Sequence, residues 1–242
     1  MAAFRRLFFA ALCAGLVAGG LAAIAHQLGT VPLILKAEIY EQAAEHPAPT
    51  AAVLGHHHSH AAAAMSDHHA DAWEPANGLE RSAYTLLADL LTGVGFALLL
   101  AAGIACCGGE GGWRDGLLWG LAGFAVFTLA PGLGLPPEVP GSAAAPLLAR
   151  QLWWLATAAS TGAGLALIVF TRRPLYAVLA AGLIILPHLW GAPPPPADAA
   201  AAAPEELARR FAVLVTAISF LFWAALGAAT GYFYHRFEPR SG

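Results

Sequence analysis

The chain is 242 residues long, 58% hydrophobic and only 11% charged, with a formal net charge of −3. A soluble globular domain carries about 25% charged residues, and here the deficit runs along the whole length, as in a polytopic membrane protein. With 12 Lys and Arg against 15 Asp and Glu, no long basic tract and no nucleic-acid motif, the composition argues against a nucleic-acid-binding protein.

Six apolar blocks follow one another. They run from about Leu7 to Leu28, Tyr84 to Cys107, Leu117 to Leu135, Leu152 to Phe170, Leu175 to Trp190 and Phe211 to Tyr234. Most reach the roughly 20 residues needed to cross a hydrocarbon core of about 30 Å, and a backbone that must satisfy itself in lipid forms helices. The expected fold class is therefore all-α, a polytopic membrane helix bundle treated as one domain over 1–242. It has six crossings, or five if the short fifth block with its Pro187 does not cross. The first block, after Arg5 and Arg6, has the cast of a signal peptide. Apolar character resumes at Val31 to Leu35, however, and Gly15 and Gly19 have the spacing of a close-packed helix pair, so an uncleaved first helix is expected.

Between the first two blocks lies a polar, Ala-rich segment, read as a loop over 36–81. It carries His56, His57, His58, His60, His68 and His69 with Asp67, Asp71 and Glu74 interspersed. Imidazole nitrogen and carboxylate oxygen together suit borderline divalent metals. The Pro193–Pro196 run opens a Pro/Ala-rich stretch, read as an external linker over 191–209. Lys and Arg are densest in the very short segments that would face the cytoplasm, with Arg5, Arg6, Arg114, Arg172, Arg173, Arg236 and Arg240 there. This puts the N-terminus inside and the histidine loop outside. The expected location is the inner (cytoplasmic) membrane.

Asp89 is the strongest signal within the apolar blocks, since an ionisable group in a transmembrane helix is costly and usually faces a cavity or a partner. It shares a helix face with Thr85, Thr92, Gly93 and Phe96. It can also be read as a structural hydrogen-bonding group near the outer interface. His26 and Gln27 near the end of the first block, and His188 near the end of the fifth, fall in the same layer, below the loop. The candidate metal ligands are thus His56, His57, His58, His60, Asp67, His68 and His69 on the loop, and Asp89, His26 and His188 within the bundle, with Glu38, Glu41 and Glu80 at the outer mouth. Stripes of Thr, Ser and Gly on the fourth and sixth blocks read as packing faces. Cys13, Cys106 and Cys107 form no metal or disulfide pattern. No nucleophile–base pair appears, so an enzyme is not expected. No phosphate-binding loop appears either, so active transport would draw on a partner or an ion gradient.

Several segments together resemble the predicted cobalt transporter subunit family CbtA. They are Arg6-Leu7-Phe8, the stretch Ala37 to Glu41, Trp73 to Arg81, Tyr84 to Leu87, Gly134 to Gly141, Arg150 to Trp154 and Leu186 to Pro193. The resemblance implies cobalt uptake linked to cobalamin synthesis, five spans, and a small single-span companion subunit, CbtB. Co2+ is then the expected substrate, with no permanently bound cofactor. A nickel or zinc importer remains open, because Ni2+ and Zn2+ generally bind such ligands more tightly than Co2+. So does a membrane metal sensor or assembly factor that does not transport.

Overall fold

The computed structural model describes residues 1–45, 75–107, 112–171 and 173–238. All regular structure among them is helical. The first helix, α1 (Ala2–Ala25), passes through a π-turn (His26–Thr30) into α2 (Val31–Glu45). This run, Ala3–Ala44, is 42 residues, about 63 Å of helix, roughly twice a hydrocarbon core. It is longer than one crossing requires. The polar segment expected from residue 36 begins as helix, because Ala37 is a buried contact and only the rest of that turn is polar.

Next come α3 (Leu79–Cys106), then α4 (Trp113–Phe124), a second π-turn (Ala125–Leu129) and α5 (Ala130–Gly134) in one continuous run. They are followed by α6 (Leu147–Phe170), α7 (Pro174–Trp190) and α8 (Glu205–Arg236). Among the described residues five runs are long and apolar enough to cross a membrane, and α7, at 17 residues, is shorter. It nonetheless returns along α6. Gly164 packs against Ala180 and Ile184, and the indole N–H of Trp153 donates to the Pro187 carbonyl at 3.3 Å. The chain thus leaves α7 near the level at which it began α6.

Both π-turns have the same cause. A proline ring clashes with the carbonyl four residues before it and offers no N–H. Pro32 lies four residues after Leu28, and Pro131 four after Phe127, and each of those residues is the middle of a π-turn. The helix absorbs the clash by widening locally instead of breaking.

Small residues set the packing, as expected where lipid supplies no hydrophobic drive between helices. α1 lies on α3 through Gly15, Gly19 and Gly93, and α4 lies on α8 through Gly116, Gly120, Gly227 and Gly231. Ala11, Ala14, Ala18, Ala97, Ala101 and Leu226 fill the centre. The α6–α7 hairpin joins this four-helix core chiefly along the second π-turn and α5. Two clamps close the ends. Arg6 donates to the Tyr234 carbonyl at 2.6 Å, lies over the Tyr234 ring and pairs with Glu238. At the opposite end Ala37, Val139, Ala203 and Phe211 form a small second core. There the Ala202 N–H donates to the Gly141 carbonyl at 2.9 Å, so the Pro/Ala-rich stretch folds back onto the 135–146 segment. Helix α8 then starts at Glu205, a little before the expected end of that stretch.

Candidate metal-transit site

His26 opens the first π-turn, and its Nδ1 lies 3.0 Å from Asp89 Oδ2 on α3. Sequence reasoning placed both in one layer, and the structure brings them into direct contact across 63 residues of chain. Asp89 sits at one of the close approaches of the two helices, one turn from the Gly15–Gly93 contact. A Cβ added to Gly19 would lie 2.6 Å from the Asp89 carbonyl oxygen, so no other residue lets α1 come this near. The side chains are 29% and 16% exposed, enough to be reached but not freely solvated. In the tautomer with hydrogen on Nδ1, the imidazole donates to the carboxylate. Nε2 then keeps its lone pair, and Asp89 keeps its second oxygen.

The pair lines a cavity of about 210 Å³, together with Thr92, Thr128, Ser219 and the rings of Phe96, Phe127, Trp154 and Trp223. That volume holds several waters beside polar groups. The second π-turn contributes Phe127 and Thr128. The indole N–H of Trp223 donates to Thr128 Oγ1 at 3.2 Å, and its ring stacks on Phe127 with centroids 5.7 Å apart and planes 6° off parallel. One such hydrogen bond is worth about 0.6 kcal/mol in a membrane, so ring packing rather than the bond positions this wall.

The other expected ligands fall elsewhere. His188 does not line this cavity. It packs edge-on against Trp153, with centroids 5.9 Å apart, and its Nε2 is buried with no hydrogen-bond partner among the described residues. Trp153 is itself buried. Thr85 gives its hydroxyl to the Arg81 carbonyl, and Gly93 packs on Gly15; of the expected face only Thr92 and Phe96 reach the cavity with Asp89. Glu38 pairs with Arg81 at 2.7 Å, and Glu80 accepts from the Ala76 N–H at 3.3 Å. His56, His57, His58, His60, Asp67, His68 and His69 lie outside the described residues. Among the described residues no three His, Cys, Asp or Glu side chains converge as a metal cage.

The cavity also takes in Phe127, Thr128, Trp154 and Trp223, none of them a candidate in the sequence, and Ser219 from the sixth-block stripe read as a packing face. The available signal was Pro131 inside an apolar block, which marks a helix distortion four residues back. The hydroxyls of Thr157, Thr216 and Thr230 do bond to carbonyls of their own helices, as packing residues would.

A second cavity of about 610 Å³ adjoins the first and shares Phe127, Thr128 and Trp154 with it. Its polar residues include Glu138 and Arg150, paired at 2.7 Å, and Gln151.

Residues 4–235 match the sequence model of a family described as probable cobalt transporter subunit (CbtA). No curated protein and no solved structure shows significant similarity to the chain.

Proposed function

The chain belongs to the probable cobalt transporter subunit family, CbtA, and we propose that it imports Co2+ by passing the ion from an external histidine-rich loop to the His26–Asp89 pair inside the bundle. The observation that carries this reading is the pair itself: an imidazole and a carboxylate 3.0 Å apart, on a small polar cavity, in helices long enough to cross a membrane. An ionisable residue in such a helix marks an ion pathway by default. Two protein donors leave most coordination positions of a divalent ion to water, so the ion is held weakly enough to leave, as conduction requires. A closed cage of four ligands would trap it.

His56 to His69 act earlier, by raising the local metal concentration at the external face. In this reading the α2 end of the bundle faces outward, the Arg6 end faces the cytoplasm, and the protein sits in the inner membrane. The chain works with a small single-span companion subunit. A nickel or zinc importer would use the same ligand types, so metal choice is set by supply and geometry more than by ligand identity.

The test is equilibrium binding of Co2+ to purified protein lacking residues 56–69. One ion is expected to bind, and Asp89→Asn in that background is expected to remove it. If the shortened protein binds no cobalt, or if Asp89→Asn binds as well as its parent, the His26–Asp89 pair is not the site.

A further inference from the structure

We propose that the 610 Å³ cavity is the vestibule by which a hydrated divalent cation reaches the His26–Asp89 site, with Glu138 the carboxylate that draws it in and the Phe127–Trp154 ring pair the constriction it must pass. The proposal rests on the transit reading of His26–Asp89 and adds the route and a further cation-handling residue.

The direct way down between the helices is closed. At the α2 end, Ala37, Val139, Ala203 and Phe211 pack into a capping core. One turn further in, the Leu214 side chain approaches within 3.0 Å of a Cβ built on Gly29, with Ile218 beside it, so α8 seals the first π-turn. The larger cavity lies beside this plug. It shares Phe127, Thr128 and Trp154 as a common wall with the His26–Asp89 cavity. The Phe127 and Trp154 rings stack with centroids 6.1 Å apart. Phe127 belongs to the four-helix core and Trp154 to the α6–α7 hairpin, so the constriction lies on the seam between the two.

The vestibule is roomy enough for an ion with its water shell, and Glu138 and Arg150 are each about one-quarter to one-third exposed there (27% and 31%). At rest the pair is neutral and sets no permanent trap. An arriving cation takes over the carboxylate from Arg150. It sheds water at the rings, where Thr128 offers a hydroxyl, before meeting Asp89.

The electrostatic role makes opposite demands on the two partners. Glu138→Gln leaves an uncompensated guanidinium on the path, whereas Arg150→Gln leaves an uncompensated carboxylate. Cobalt uptake by the full chain with its companion subunit is the measurement. Glu138→Gln is expected to raise the half-saturating cobalt concentration by roughly tenfold or more, the scale of charge steering at a confined opening. Arg150→Gln is expected to lower it or leave it unchanged, and the double variant to return near the parent. If both single variants are impaired alike, and only the charge swap Glu138→Arg with Arg150→Glu restores uptake, the pair is a strut and the proposal falls. Gln151→Cys offers an independent check. A membrane-impermeant cationic thiol reagent added from outside should block its uptake while sparing the parent chain. An unmodified rate in that variant also overturns the vestibule. Normal uptake by Asp89→Asn would instead remove the transit site, whatever Glu138 does.

Discussion

Gly19, His26 and Asp89 act together, because the absence of a side chain at Gly19 lets the Asp89 backbone come close enough for His26 to reach the carboxylate. Gly19→Ala forces backbone against backbone, and overpacking of this kind costs about 1–3 kcal/mol. The expected result is a protein that still inserts, melts at lower temperature, and binds cobalt less well because Asp89 is displaced. Unchanged melting and binding would show that α1 and α3 have slack here. His188→Ala makes a contrasting case. Its ring sits on Trp153 and does not line the cavity. Its uptake should fall only mildly, and less than that of His26→Ala at matched membrane levels. The sequence pointed to His26 and Asp89 because charge and imidazole in apolar blocks are conspicuous. It also pointed to His188 for the same reason, and only the position of α7 against α6 separates it from the others.

At the scale of elements, the two π-turns decide what the cavity contains. Pro131→Ala removes the clash with the Phe127 carbonyl and permits a regular helix, which would rotate Phe127 and Thr128 off the wall. Stability should hold or rise while cobalt uptake falls. A variant that transports normally would show the π-turn to be incidental. The helices themselves were legible, since apolar length forces them. Their distortions were not legible in apolar length, and only Pro32 and Pro131, each four residues past the middle of a π-turn, mark them in the sequence. The end of the first helical run was also hidden. Lys36, Glu38 and Glu41 read as loop residues, yet Ala37 between them is buried against Val139 and Phe211 and carries the helix on. For the histidine segment, deleting 56–69 is expected to raise the external cobalt concentration needed for uptake while leaving the maximal rate largely intact. Metal binding by this segment should weaken below about pH 6, as protons compete for imidazoles of ordinary pKa about 6.5. Loss of uptake at saturating cobalt would make the segment part of the passage.

For the whole molecule, the arrangement is a four-helix core with an α6–α7 hairpin against one side, and both cavities lie along that seam. An all-α membrane bundle was readable from composition alone. Which helices would neighbour one another was not, because glycine spacings mark close-packing faces without naming their partners. Gly116, Gly120, Gly227 and Gly231 meet across more than a hundred residues of chain. The proposed cobalt route through this bundle passes Asp89. Its most direct test is uptake of radioactive cobalt into proteoliposomes holding the full chain and its companion subunit, compared with the same vesicles carrying Asp89→Asn. Asparagine keeps size and hydrogen bonding but removes the charge that a divalent ion needs in a low-dielectric site. Uptake is expected with the parent chain, and little above empty vesicles with Asp89→Asn at equal incorporation. Equal uptake by the two would contradict that route.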